Sequence, residues 1–243
     1  MRRSVYESEA DNEERHWWFV ARRELLMRRI DALSLSVDAT ILDVGTSTGT
    51  NLRMLKNSIY QRVVGIELDS FAIGQVVAKT AATMVQGNCL QLPICSESID
   101  LLLATDVLEH IDDDRTAAAE LCRVVRDGGR ALITVPAFMS LWGPQDDLSF
   151  HKRRYKKEDF RILLEAAGFS VERVWYFNAF LFLPIFVARK ILRAAKFEGR
   201  SEGDINSKTL NYVLLAIFRF DCRLSELMQF PFGVSIAAQC RRN

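Results

Sequence analysis

No two cysteines in the sequence stand two residues apart, and no histidine lies at a metal-ligand spacing from another histidine or from a cysteine. The five cysteines, Cys89, Cys95, Cys122, Cys222 and Cys240, are scattered and odd in number. That pattern excludes a disulfide framework or a zinc knuckle and fits a reducing, cytoplasmic setting. With only three histidines in the chain, no metal is expected. Neither sign of charge dominates: 32 Lys and Arg face 31 Asp and Glu, so there is no electrostatic case for nucleic acid as a partner. A bilayer-spanning run is also missing. The most apolar stretch, Val174 to Ala188, is shorter than the roughly 20 residues a helix needs to span a membrane, and Asn178 and Pro184 interrupt it. The chain opens on charged residues without the apolar run of a secretory signal, so export is not expected. Internal repeats and low-complexity segments are absent as well.

What is present is a chain of 243 residues, 49% hydrophobic, enough to bury a substantial core as one α/β domain with elaborations. Trp18, Leu25, Leu26, Ile30 and Leu33 recur at helical spacing and predict a helix over 13–33. Short apolar strands then alternate with helices: ILDV before a helix from Thr50 to Lys56, RVVGIEL before a helix starting near Ser70, ATMVQ, and SIDLLLAT before DVLEHI. A helix from about Asp113 to Arg126, stopped by Gly128 and Gly129, leads into the strand RALITVP. A helix over 157–167, ended by Gly168, leads into SVERVWYF, and the last strand is VSIAAQCRR. This alternation predicts a mostly parallel sheet covered on both faces. Between the last two strands lie an apolar helix candidate (179–195), the polar linker EGRSEGDINSK, expected to be disordered, and an amphipathic helix candidate (209–229).

The stretch DVGTSTG carries the first chemistry. A strand ending in Asp43 passes into a tight turn with Gly45 and Gly49, which lets backbone approach a ligand and points helix N–H groups at it. Ser47 replaces the middle glycine of a G-x-G-x-G pattern, and the dinucleotide G-x-G-x-x-G spacing is missing, which counts against a nicotinamide or flavin enzyme. The second apolar strand ends in Glu67, where an acid can accept hydrogen bonds from both hydroxyls of a ribose; the alternative is a plain charged residue at a strand end.

Taken in order, Asp43 to Gly49, Glu67, GNCLQLP, SIDLLLATDVLEHI and LCRVVRDGGRALITVP resemble the successive motifs of class I S-adenosylmethionine-dependent methyltransferases, over about 38–136. The resemblance implies an α/β, Rossmann-like, seven-stranded and mostly parallel sheet with an antiparallel last strand and helices on both faces. It implies S-adenosylmethionine as cofactor and S-adenosylhomocysteine as product. Thr46 and Leu68, beside Gly45 and Glu67, join the cofactor set by the same resemblance. Asn88 and Cys89 are carried over as the pair beside the adenine, by side-chain amide and backbone N–H; the family more often has Asp at the first position. Asp106 is carried over as lying near the methionine part or the sulfonium, the alternative being a helix N-cap for the VLEHI turn.

A narrower resemblance joins ERHWWFVARR, LWGPQDDLSFHKRRYKKEDFRILLEAAGF and FPFGVSIAAQCRR to a bacterial methyltransferase group associated with sugar, lipid-linked saccharide or other envelope pathways. The chain then reads as one domain: an N-terminal helical lid (1–37), a core (38–178), a helical insertion (179–230) and the last strand (231–243). In the lid, His16, Trp17, Trp18 and Phe19 are expected either to shield the sulfonium from water, with Trp17 towards the acceptor and Arg22 or Arg23 on the cofactor carboxylate, or to anchor the helix to the core. His151, Arg153, Arg154 and Tyr155 are expected at a substrate pocket on the cofactor's edge of the sheet, or else form a solvated basic helix entry. Gln145 stands where that group often carries a histidine, followed by a carboxylate, here Asp146. His151 and His110 are the candidate bases, His110 being equally readable as structural.

The expected reaction is methylation, on oxygen, of a small-molecule, sugar or lipid-linked acceptor. The alternatives are carbon or nitrogen methylation of a quinone-like or other hydrophobic metabolite, or a cofactor-binding partner protein without activity. The insertion is expected to pack on the core, cap a hydrophobic acceptor, form a dimer surface, or touch the inner face of the membrane through Arg189, Lys190, Arg193 and Lys196. A monomer and a homodimer are both compatible with the sequence.

Overall fold

The computed structural model describes residues 3–80, 82–194 and 207–243. Seven strands form one sheet: β1 (Thr40–Val44), β2 (Arg62–Glu67), β3 (Thr83–Gln86), β4 (Ile99–Thr105), β5 (Val125–Pro136), β6 (Phe169–Phe177) and β7 (Ser235–Arg242). Their spatial order is β3-β2-β1-β4-β5-β7-β6. β1 to β5 run parallel, and β7 is antiparallel to both β5 and β6. The fold class is therefore the α/β sheet that the sequence implies.

Successive side chains of a strand point to opposite faces, and both faces here are apolar. Leu42, Leu102 and Ile133 meet Leu121 of α5 (Asp114–Val124) and Phe160 and Leu164 of α7 (Lys157–Ala166) in one cluster. Their neighbours Ile41, Leu101, Leu103 and Leu132 turn the other way. There they meet Ile30 of α2 (Trp17–Asp31), Leu52 and Leu55 of α3 (Thr50–Lys56) and Val76 of α4 (Ser70–Thr80). On the same side, Trp17 and Leu25 of α2 pack with Trp175 and Phe177 of β6 and with Phe218 and Cys222 of α9 (Lys208–Leu227).

Three expectations need correction. The helix expected over 13–33 is α2, which begins only at Trp17, because the His16 imidazole caps it by accepting from the backbone N–H of Trp18, while Glu13 turns inward to a fully enclosed position; a separate helix, α1 (Arg3–Asn12), precedes it. The helix expected from about Asp113 to Arg126 stops at Val124, and β5 already begins at Val125. Gly129 is not a helix stop but a point of close approach, where a Cβ would sit 2.8 Å from the Arg126 carbonyl oxygen and 3.0 Å from that of Ile99. The sequence also gave no signal for α6 (Pro144–Leu148), a single turn with Pro144 at its first position.

The insertion does two jobs. α9 joins the core, and its buried Asp221 accepts from the backbone N–H groups of Asn178 and Ala179 (both 2.6 Å) and Phe180 (2.9 Å), fixing the chain as it leaves β6. α8 (Phe182–Ala194) buries none of its residues completely, and Leu183, Val187 and Ile191 are exposed. The linker expected to be disordered falls, up to residue 206, outside the described residues, as does Lys196. Among the described residues no helix is long and apolar enough to cross a membrane.

Phe218 is completely buried, with its ring stacked on Trp18 (centroids 5.2 Å apart) and Phe177 (6.1 Å) and meeting the edge of Trp17 (5.5 Å). Removing a buried Phe ring typically costs about 3–5 kcal/mol. Phe218→Ala is expected to lower the unfolding free energy by about that amount in urea titration; a loss under about 1 kcal/mol would contradict this packing.

Candidate active site

The strand order reverses beside β1, between β2 and β4, and a crevice opens beyond the carboxyl ends of these strands. It widens into a cavity of about 940 Å³ bounded by the sheet edge, α1, α2 and α8. That is near the upper end of the roughly 300–1,000 Å³ usual for small-molecule sites.

At the end of β1 the chain turns through Gly45 (φ +69°), Ser47 (φ +48°) and Gly49 (φ +88°) into α3. Gly45 has no room for a side chain, since a Cβ would lie 2.6 Å from Val107 Cγ2. Gly49 does not line the cavity; it is the left-handed cap from which α3 starts. Asp43 also lies beneath the lining, enclosed completely, with Oδ1 accepting from Asn51 Nδ2 (3.2 Å) and Oδ2 unpartnered. Burial pushes its carboxyl up to about 7, against the pull of Asn51 and Arg22. Thr46 Oγ1 is likewise buried without a partner.

Glu67, at the tip of β2, is 8% exposed and accepts three backbone hydrogen bonds: from Ser47 (3.0 Å), Leu68 (2.8 Å) and Asp69 (3.1 Å). Those contacts fix its direction and leave one acceptor position of a carboxylate's four. Asn88 and Cys89 line the same end; Asn88 Oδ1 accepts from the Leu90 N–H at 2.9 Å. Burial, with Glu67 nearby, pushes the Cys89 thiol up to about 12, so it stays protonated and is no nucleophile.

Asp106 follows β4 with φ +56°, a costly conformation for a non-glycine residue. It caps no helix: the turn Leu108–His110 begins from Val107 without a side-chain cap. Asp106 instead accepts from Thr134 Oγ1 (3.2 Å) and from the guanidinium of Arg22. Arg22 thus spends a donor on Asp106, and Arg23 turns away to Thr50 and the Glu13 carbonyl. The aromatic leader both faces the cavity and packs on the core. Trp17, Trp18 and Phe19 line the cavity, and Trp17 and Trp18 also anchor α2 on Phe218.

Helix α1, for which the sequence offered no site signal, closes the mouth. Tyr6, Glu9 and Asn12 line the cavity, and Glu9 Oε2 accepts from Ser47 Oγ at 2.7 Å. Burial there pushes the Glu9 carboxyl up to about 7. Glu13 binds Thr48 and lies 3.3 Å from Lys79 and 3.7 Å from Arg53. The leader is therefore latched to the glycine turn by two acids.

At the far end His110 and His151 meet edge to face, with ring centroids 4.6 Å apart. Burial, followed by His151, pushes the His110 imidazole down to about 4, so it is neutral at physiological pH. His151 Nδ1 lies 2.7 Å from Asp146 Oδ1, and Arg154 grips the same carboxylate through Nε (2.8 Å) and Nη2 (3.0 Å). Burial opposes charge on Asp146, but His151, Arg154 and Arg189 outweigh it and hold the carboxyl well below its usual range. Arg153 and Tyr155 require correction as substrate groups. Arg153 pairs with Asp114 (2.7 Å) and Tyr155 donates to Asp114 (2.8 Å), so α5 draws both away from the cavity. Sequence reasoning noted Asp146 only as the carboxylate after Gln145; in the fold it bridges His151 and Arg154. Sequence reasoning passed over Glu109, which lies in the quoted DVLEHI and joins His110 and His151 in a cluster. Ile185 and Leu192 of α8 form an apolar wall opposite.

A glycine turn and an acid at adjacent strand tips, beside the reversal of strand order, define the nucleoside-binding edge of a doubly wound α/β protein. Residues 42–133 match the family model of a methyltransferase domain. Over 176 residues the chain is 30% identical to an O-methyltransferase of Aspergillus nomiae, covering 66% of this chain and 78% of that relative. Over 163 residues it is 29% identical to a Mycolicibacterium smegmatis protein named a probable S-adenosylmethionine-dependent methyltransferase, covering 65% of this chain and 62% of the relative. It matches 42% of the length of a Mycobacterium avium methyltransferase at 32% identity, covering 43% of this chain. The chain thus spans less than two thirds of these last two relatives. Among solved structures, a TehB-like S-adenosylmethionine-dependent methyltransferase from Corynebacterium glutamicum shares the fold with TM-score 0.56 at 20% identity, covering 92% and 88% of the two chains. Haemonchus contortus phosphoethanolamine N-methyltransferase 2, solved with S-adenosylmethionine, shares it with TM-score 0.57 at 15% identity, covering 86% and 49%. The chain belongs to the class I S-adenosylmethionine-dependent methyltransferase family. The bare backbone at Gly45, the unpartnered Thr46 hydroxyl and the open acceptor position on Glu67 fit that cofactor.

Asp146 carries the buried Arg154 charge, and deleting one partner of a buried pair typically costs about 3–5 kcal/mol. Asp146→Asn is expected to lose about that much stability in denaturant titration. A change within about 0.5 kcal/mol would show that Arg154 is not held by this carboxylate.

Proposed function

We propose that the protein transfers the methyl group of S-adenosylmethionine to a hydroxyl oxygen of an acceptor with a sizeable apolar part. The observation that carries this reading is the shape of the cavity. It runs without interruption from Glu67 and Asn88, past Asp106, to the imidazoles of His110 and His151 and the apolar wall of α8. A partner protein without activity would not need that second chamber. The O-methyltransferase names of the Aspergillus nomiae relative and of an Aspergillus sclerotiorum relative, 32% identical over 118 residues, support oxygen as the acceptor atom. The HWWF and HKRRY segments support a sugar or lipid-linked acceptor, and Ile185, Leu192 and Leu214 suit its apolar part.

When bound, the cofactor supplies an electrophilic methyl carbon on a positively charged sulfur. Glu67 would accept from a ribose hydroxyl at its open position, with Leu68 beside the adenosyl group. Asn88 would meet the adenine with its side-chain amide and Cys89 with its backbone N–H, while Gly45 and Thr46 would line the passage between. Asp106, anchored by Arg22 and Thr134, would place negative charge near the sulfonium. Trp17, Trp18 and Phe19 would keep water from the reacting atoms. With Asp146 ionised, His151 keeps its proton on Nδ1, which leaves Nε2 as the acceptor for the hydroxyl proton. His110, neutral and weakly basic, is the poorer base and would position the acceptor. Arg154 and Arg189 are engaged with Asp146, so they serve the site by holding its geometry. The exposed apolar face of α8, beside Lys190 and Arg193, suits peripheral contact with a membrane that holds the acceptor.

Calorimetry with S-adenosylhomocysteine, followed by turnover against extracted envelope lipids and glycosides, tests the reading. Hydrogen bonds to a charged acceptor contribute about 1.5–3 kcal/mol each, so Glu67→Gln is expected to weaken cofactor binding by roughly 10- to 150-fold. His151→Asn is expected to keep that affinity and lower kcat by about two to four orders of magnitude on a hydroxyl acceptor. Unchanged affinity in the first variant, or unchanged turnover in the second, contradicts the assignment.

A further inference from the structure

The residue least accounted for by the reaction is Glu109. It is completely buried, and neither of its carboxylate oxygens meets a hydrogen-bond partner from another residue. A buried carboxylate in that position is costly unless a proton or a cation joins it.

What surrounds Glu109 is suited to a metal. His151 Nε2 lies 4.0 Å from Glu109 Oε1, and one potential ligand atom from each of Glu109, His110 and His151 falls within 4.8 Å of the other two. Ligands of a tetrahedral zinc ion at about 2.0–2.1 Å lie about 3.4 Å from one another, so modest side-chain rotation closes the set. Metal-bound histidines characteristically spend their second nitrogen on a carboxylate or a backbone carbonyl. His151 does so here: its Nδ1 is on Asp146 at 2.7 Å. Asp146 is in turn fixed by Arg154 and by the Gly143 N–H (2.8 Å), so the outer shell is itself built.

We propose that Glu109, His110 and His151 together bind one divalent transition-metal cation at the acceptor end of the cavity. Two imidazoles and one carboxylate favour Zn²⁺, Co²⁺ or Fe²⁺ over Mg²⁺ or Ca²⁺, which prefer oxygen ligands. Three protein ligands leave a coordination position open towards the cavity, where an acceptor hydroxyl can bind and become more acidic. This consequence rests on the acceptor chamber proposed above, whereas the cation site itself does not. With the ion in place His151 is a ligand, and the coordinated hydroxyl passes its proton to solvent water in the cavity rather than to a free imidazole. The sequence excluded a metal because ligand spacing is a local signal, and these ligands come from two separate loops.

The test uses the full chain, stripped of metal with a chelator and titrated with Co²⁺ and Zn²⁺. Cobalt absorption and zinc calorimetry are expected to give one equivalent per chain. Glu109→Gln and His151→Ala are each expected to weaken binding at least about tenfold. S-adenosylhomocysteine affinity, measured on the same samples, is expected to stay unchanged, which shows that the variants are folded. It also separates failure of this site from failure of the methyltransferase reading. A rise in wild-type melting temperature with Zn²⁺, lost in Glu109→Gln, gives an independent readout. Absence of a one-equivalent site, or binding that both variants leave intact, as for metal held by the exposed Cys95, overturns the proposal.

Discussion

The structure depends on the reversal of strand order beside β1. Because β2 lies on one side of it and β4 on the other, the connections leaving their carboxyl ends diverge, and backbone N–H groups at those ends are left facing a gap. Glu67 is held there by three backbone donors from the loops after β1 and β2, and the Asp106 backbone N–H donates to the Thr134 carbonyl near the end of β5. The cavity is the space this divergence creates, and the remaining elements decide how it is closed and what it admits.

Closure is chiefly a matter of charge. Acids crowd the walls and the layer behind them: Glu9, Glu67, Asp106, Glu109 and Asp146 line the cavity, and Glu13 and Asp43 are buried beneath it. Those that are fully paired, such as Asp146 with Arg154, retain their charge despite burial, and those that are not, Asp43 and Glu109, are pushed towards the protonated form. A chamber with this balance favours positively charged guests. A sulfonium at one end and a divalent cation at the other answer the same electrostatic shortage.

Much of the fold was legible because its signals are local. The strands are short apolar runs bounded by turns, Gly168 ends a helix as its place after Ala167 suggests, and the glycine turn and Glu67 sit at tips that the strand pattern already locates. What was not legible depends on contacts between distant segments. The break between α1 and α2 has no glycine or proline to mark it; it exists because Glu13 is drawn to Thr48, Lys79 and Arg53. Arg153 and Tyr155 belong to a segment correctly placed at the cavity's edge, but Asp114 on another helix decides which way they face. Glu109, His110 and His151 come together only through the fold, and no spacing rule could have joined them.

The central claim is that the carboxyl edge of β1, β2 and β4 binds the adenosyl cofactor. Backbone amide NMR during titration with S-adenosylhomocysteine tests it most directly. Saturable shifts are expected at Gly45, Ser47, Leu68, Asp69, Cys89 and Asp106, with little change along α7 and the far end of β6. An unperturbed edge, or shifts confined to another face of the sheet, would contradict the account.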